Sequence, residues 1–247
     1  MKNRKEPTLA SARPRQNRNI ALLIDADNAS PRTLDDALTI LGDLGTVNVR
    51  RIYGNWSKPA LKGWSALVHR HALEPQQQFD LTKGKNATDM KMTIDAMDLL
   101  YGGNVDGFGI MSSDSDFMPL AIRIRQNGTP VYGFGSARTP EAFREACTRF
   151  IDLEMMGAED DTEVKGEVPA KPAVDEELVK LLGDAWKASK RDEDGFASLS
   201  EIGQRVSNRS SFDARSYGFS RLSELVQSLP NFATEKRESG LFIKRMR

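Results

Sequence analysis

Short apolar runs alternate with amphipathic stretches over the first 150 residues. Ile20 to Ile24 is apolar at every position, the pattern of a strand covered on both faces. Ser30-Pro31 opens a helix with Leu34, Leu38 and Leu41 on one side, and Gly42 and Gly45 end it. Val47 to Tyr53 reads as a second strand, Pro59 to Arg70 as a helix, and His71 to Asp80 as an extended segment carrying Pro75. A strong helix follows, with Met90, Ile94, Met97, Leu100 and Tyr101 near helical spacing and Asp89 in its first turn. Val105 to Met111, Pro130 to Phe134 and Arg149 to Leu153 read as strands, and Phe117 to Gln126 and Pro140 to Ala146 as helices. Strand and helix alternating five times predicts a three-layer α/β sandwich with a mostly parallel sheet and right-handed crossovers.

The pattern changes after residue 155. Glu159, Asp160, Asp161 and Glu163, followed by Pro169-Ala170-Lys171-Pro172, predict a linker over 156–173. A second module spans 174–247. Leu178, Leu181, Leu182, Ala185 and Trp186 mark one helix, Leu199 to Val206 a second capped by Ser198 or Ser200, and Phe219 to Leu229 a third. Phe232 to Lys236 and Leu241 to Lys244 flank Ser239-Gly240 as a β-hairpin. Three helices and a hairpin make a small winged-helix plan, whose third helix and wing commonly meet nucleic acid. Arg215, Tyr217 and Arg221 near that helix, and Lys236, Arg237, Lys244 and Arg245 on the wing, would be its candidates for contact with nucleic acid. The simpler reading of the same residues is the solvated face of a protein-docking module.

Composition narrows the classes. Cys147 is the one cysteine and His69 and His71 the two histidines, which disfavours disulfides and Cys/His zinc sites and fits a reducing, cytoplasmic setting. Cys147 is expected in the core, with no chemistry of its own. No apolar run approaches the roughly 18 residues that span a bilayer, so neither a membrane span nor a signal peptide is expected. The net charge is zero, yet its distribution is uneven. Residues 1–18 carry six Lys/Arg against one Glu, 154–177 nine acids against two Lys, and 200–247 nine Lys/Arg against five acids. The first of these, with Pro7 and Pro14 and no aromatic residue, is expected to be a disordered basic tail.

Candidate chemistry sits where apolar runs break into carboxylates. Ile24 is followed by Asp25-Ala26-Asp27-Asn28, and Ile110-Met111 by Ser112-Ser113-Asp114-Ser115-Asp116. Helix capping by Asp114 or Ser115 would explain one such break. If the sheet is parallel, however, Asp25, Asp89, Asp114 and Asp116 all fall on its C-terminal edge, where α/β folds bind ligands. Carboxylates so close repel unless a cation or proton intervenes, and Mg²⁺ or Mn²⁺ takes such oxygen ligands. Asn28 could add an amide oxygen or orient a water, Ser112 and Ser113 could hold the aspartates, and Lys83 and Lys85 could contact a phosphate or simply form a solvated turn. Asp95 lies about 120° around the helix from Asp89 and is expected, at most, to support the acids from a later turn. Trp56 and Trp64 could stack on bases, but core packing is the expectation.

Taken together, Ile24-Asp25-Ala26-Asp27-Asn28, Lys85-Asn86-Ala87-Thr88-Asp89 and Ser112 through Leu120 resemble the NYN domain of the LabA-like type, a relative of PIN nucleases. The resemblance covers roughly residues 18–154, within a domain placed at 19–155. Phe196 to Gly203 and Phe212 to Phe219 resemble an OST-HTH or LOTUS domain. The resemblance implies a PIN-like fold whose aspartates bind Mg²⁺ or Mn²⁺ and cleave RNA. It assigns catalytic roles to Asp25, Asn28, Asp89, Asp114 and Asp116, with the four aspartates as metal ligands. It also implies a C-terminal module that binds RNA or a protein partner. Many NYN sequences have Gly-Asp-Gly-Asp where this chain has Ser113-Asp114-Ser115-Asp116, and a shorter Lys-Gly-x-Asp where it has Lys85 to Asp89, which leaves the register of Lys85 open. The alternative is an RNA-binding adaptor without turnover. A haloacid dehalogenase-type phosphatase fits poorly, because Asn28-Ala29 stands where that family places Thr or Val. Oligomeric state is not readable at this level.

Overall fold

Ile20 to Ile24 is apolar throughout because its strand lies at the centre of a sheet covered on both faces. The computed structural model describes residues 18–79, 86–154 and 176–246. Its first unit is a six-stranded sheet of β1 (Asn19–Asp25), β2 (Thr46–Gly54), β3 (Glu74–Gln77), β4 (Gly107–Met111), β5 (Val131–Gly135) and β6 (Arg149–Asp152), in the order β3-β2-β1-β4-β5-β6. Every pairing among these strands is parallel. Ile20, Leu22 and Ile24 pack toward α1 (Leu34–Gly42) and α2 (Ser65–Arg70), with Leu61 and Trp64 of the turn before α2. Ala21 and Leu23 pack toward α3 (Ala87–Tyr101), α4 (Met118–Gln126) and α5 (Glu141–Ala146). The chain leaves β1 in one direction and resumes on its other side at β4. The ends of these two strands therefore form the switch point at which open α/β sheets create a crevice.

The expected strands and helices are present, and the orientation of one helix differs. Of the helically spaced Met90, Ile94, Met97, Leu100 and Tyr101, Leu100 meets the sheet together with Met92 and Ala96, and Met97 packs partly against it. Met90, Ile94 and Tyr101 are 62, 53 and 62 % exposed. Pro75 fits because β3 is an edge strand, where a missing amide donor costs little. Trp64 is buried, and Trp56 is half-buried against the same core, its indole Nε1 donating to the Gln76 carbonyl at 3.2 Å.

The second unit contains α6 (Glu176–Ala188), β7 (Ala197–Ser198), α7 (Leu199–Ser207), α8 (Leu222–Ser228), β8 (Phe232–Arg237) and β9 (Gly240–Arg245). The hairpin turns through Glu238-Ser239, and β7 adds a third antiparallel strand that its two residues gave no periodicity to reveal. Residues 211–216 of this unit lie along β6. The Phe150 amide donates to the Ser211 carbonyl at 2.9 Å, the Asp152 amide to Ser216 Oγ at 3.2 Å, and Ser216 Oγ donates to the Phe150 carbonyl at 3.3 Å. Ser211 Oγ reaches Glu145 at 3.0 Å, Arg215 pairs with Asp43 at 2.9 Å, and Arg149 lies 3.7 Å from Asp213. An edge strand that would otherwise present unpaired amides is thus covered by the chain's own second unit.

Candidate metal centre

β1 and β4 run side by side with Ile24 opposite Met111, so the polar residues after each strand emerge together. Asp25 is buried, and both of its oxygens are engaged. Oδ2 accepts from Asn28 Nδ2 at 2.8 Å and from Ser112 Oγ at 2.8 Å, and Oδ1 from the Asp27 amide at 3.2 Å. Burial pushes its pKa above the ordinary value, and these three bonds pull against that shift. The loop after β1 is held from below, because Trp64 Nε1 donates to the Ala26 carbonyl at 3.3 Å and the Ala26 amide to the Tyr53 carbonyl at 2.9 Å. Ser112 also accepts from the Asp114 amide at 3.0 Å, tying the two acidic loops through one hydroxyl.

Asp114 caps the short turn that leads into α4, accepting from the Asp116 amide at 2.9 Å. Capping and membership of the cluster are therefore compatible, since a carboxylate has a second oxygen. Asp89, Asp114 and Asp116 each offer an oxygen, all within 4.8 Å of one another. The Asp89 carboxyl is pushed up to about 6, first by burial and then by the charges of Asp25, Asp114, Asp116 and Asp27. The field of all these acids therefore converges on Asp89. Three oxygen donors at this spacing, with charge unrelieved by any described cation among them, fit a hard divalent ion.

The remaining sequence-derived candidates separate. Asn28 sits on Asp25, as Ser112 does, whereas Ser113 bonds Thr139 Oγ1 at 3.0 Å and not a carboxylate. Asp95 belongs to another network. It accepts from Tyr53 Oη at 3.1 Å and Lys91 Nζ at 2.6 Å and lies 3.5 Å from Arg51, because a rotation of 120° along α3 turns it toward β2. Arg215 is engaged by Asp43 and Asp213 at the contact between the units, which takes its charge away from a free surface. Tyr217 stacks on Phe212 with ring centroids 5.7 Å apart. Arg221 and Lys236 are exposed, and Lys244 Nζ lies 5.8 Å from the centre of Phe196. Lys83 and Lys85 lie outside the described residues. Sequence reasoning missed Asn86, whose side-chain amide donates to Asp116, and Lys58, which pairs with Asp27 at 3.3 Å. Asn86 stands directly before the first turn of α3, a position that reads as an ordinary cap. Cys147 is buried, and burial pushes its thiol up to about 12.

A parallel sheet with a carboxylate cluster at its switch point defines a PIN-like α/β protein. The sequence model of the NYN domain matches residues 19–154, more than half the chain, and this protein belongs to the NYN domain family. The OST-HTH/LOTUS domain matches residues 170–243. An uncharacterized protein of Methanocaldococcus jannaschii is 27 % identical over 121 residues, covering 47 % of each chain; this chain thus spans about half that relative's length. A crystal structure of a protein of unknown function from Vibrio parahaemolyticus aligns at a TM-score of 0.47 and 18 % identity, over 57 % of this chain and 96 % of that one. Among the described residues no helix is long and apolar enough to cross a membrane.

Proposed function

We propose that this protein is a metal-dependent endoribonuclease whose C-terminal unit binds the RNA. The observation that carries this reading is the convergence of three carboxylates within 4.8 Å at the switch point of an NYN domain. Asp89, Asp114 and Asp116 would hold Mg²⁺ or Mn²⁺, with Asp25 adding negative field from behind. When bound, such an ion lowers the pKa of a water and offsets negative charge developing on a phosphodiester. The chain's own groups do the rest. Ser112 and Asn28 keep Asp25 ionisable in a buried position by donating to it. Asn86 holds Asp116, and the cap bond from the Asp116 amide holds Asp114, so the donors are arranged before any ligand arrives. On the C-terminal unit, Arg221, Lys236 and Lys244 are the cations we assign to phosphate contacts, Lys244 beside the Phe196 ring.

The test is cleavage of single-stranded and structured RNAs with Mn²⁺, Mg²⁺ or EDTA, comparing wild type with Asp114→Asn purified identically. Metal-dependent cleavage should fall by about 100-fold or more in the variant. Equal cutting by both proteins would mark a contaminant. RNA binding without cutting by either would make the protein an adaptor that keeps the fold.

A further inference from the structure

α3 has two apolar faces, and only one is used by the sheet. Around the helix from Met92, Ala96 and Leu100 run Met90, Ile94, Met97 and Tyr101, spaced four, three and four residues apart; Met90, Ile94 and Tyr101 are more than half exposed, and Met97 between them is half-buried against the same core. Ile122 of α4, 39 % exposed, extends the stripe on one side. This spacing is that of a seam between two packed helices. We propose that α3 pairs antiparallel with α3 of a second copy of this chain, bringing the second copy's Tyr101 and Arg123 to the mouth of the acid cluster.

The stripe is its own complement. A two-fold axis between residues 95 and 96 sets Met90 against Tyr101 and Ile94 against Met97 of the second copy. On one flank lie Lys91, which bonds Asp95 of its own helix at 2.6 Å yet keeps 37 % of its side chain exposed, and the exposed Asp98; reversing the helix sets each lysine beside the other copy's aspartate. The chain's own segments beyond the described residues suit the stripe poorly. Residues 1–17 offer Leu9 as their one large aliphatic residue after Met1, residues 80–85 offer Leu81 alone, and residues 155–175 follow Met155-Met156 with a run of acids and then valines interrupted by Gly166, Pro169 and Pro172.

The pairing has a consequence for the acid edge, and this part rests on the nuclease reading. At 1.5 Å per residue the two Asp89 residues of the pair stand about 20 Å apart along the seam. Each is then level with the second copy's Tyr101, on which Arg123 stacks with its guanidinium carbon 5.5 Å from the ring centre. A guanidinium there suits a phosphate held at the cluster, forming paired charge-assisted hydrogen bonds.

Sedimentation velocity of the full chain over a range of concentrations tests the pairing. Wild type should shift from monomer to dimer. Ile94→Glu should stay monomeric with an unchanged thermal melt, since Ile94 is exposed. Asp98→Lys, at an exposed position, should weaken the dimer without moving the melt. A wild type that stays monomeric, or a dimer indifferent to Ile94→Glu, overturns the proposal. RNA cleavage then tests the contribution across the seam. Asp114→Asn and Arg123→Ala should each be impaired alone. Mixed equally, they should recover about a quarter of wild-type turnover, because half the dimers join unlike chains and each of those has one complete site. No recovery on mixing, or full activity of Arg123→Ala alone, removes the role of Arg123 in the second copy's site. Absence of all cleavage would sink the nuclease reading, while sedimentation would still decide the pairing.

Discussion

Ser112 is the residue on which two acidic loops depend, since its hydroxyl donates to Asp25 and accepts from the Asp114 amide. Ser112→Ala leaves a buried carboxylate with one fewer donor and frees the backbone of the second loop. Mn²⁺ affinity measured by calorimetry should fall about 10- to 100-fold, the usual cost of losing a group that orients ligands. Asp89 gives a prediction in pH. Its pKa is raised from 3.8 to about 6, so between these values the folded chain holds a proton that the unfolded chain has released. Without divalent metal, stability therefore falls as pH rises through this window, and above it the ionised carboxylate is a standing cost. In EDTA at neutral pH, Asp89→Asn should melt above wild type, with a gap that closes as pH falls toward 4. The gain will be modest because Asp89 is only half-buried and its repulsions are partly screened. Saturating Mn²⁺ should reverse the order.

α3 and β5 carry the predictions at the level of elements. If Met92 and not Ile94 meets the sheet, Met92→Ala should cost about 2–5 kcal/mol in chemical denaturation. Ile94→Glu should stay within about 0.5 kcal/mol for the monomer. β5 lies so close to the layer above it that a side chain at Gly133 has no room. A Cβ there would stand 2.6 Å from Cys147 Sγ and 2.8 Å from the Phe150 ring. Gly133→Ala should destabilise by about 1–3 kcal/mol, read from the denaturant midpoint. Helical period alone could not choose between the two stripes of α3. Both have the required spacing, and the sheet selects the one whose small Ala96 lets the helix approach.

At the scale of the whole molecule, the second unit closes the free edge of the sheet. Its residues 211–216 satisfy backbone groups along β6, from Phe150 to Asp152, two strands away from β4. At about 4.8 Å per strand that is roughly 10 Å across the sheet. Ser216→Ala should speed hydrogen exchange of the Asp152 amide about tenfold, the expected worth of one such bond. Arg215→Asp should loosen the contact further, and Asp43→Arg in the same chain should recover part of it, measured by limited proteolysis.

The sequence by itself determined the strands, their alternation with helices, and the carboxylates at their ends. A fully apolar run of five residues can only be a covered strand in such a pattern, and Asp25, Asp114 and Asp116 stand where two such runs stop. The resemblance to NYN domains was legible in the same residues, and the family match bears it out. What the tertiary structure decided is which groups meet. Ser112 bonds Asp25 across 87 positions and Asn86 bonds Asp116 across 30, while neighbouring Ser113 turns to Thr139. Asp95 meets Tyr53, and Arg215 meets Asp43, for the same reason. Periodicity reports the face a residue shares with its near neighbours in the chain. The partner across that face is set by strand order and helix rotation, and these follow from packing the whole chain at once.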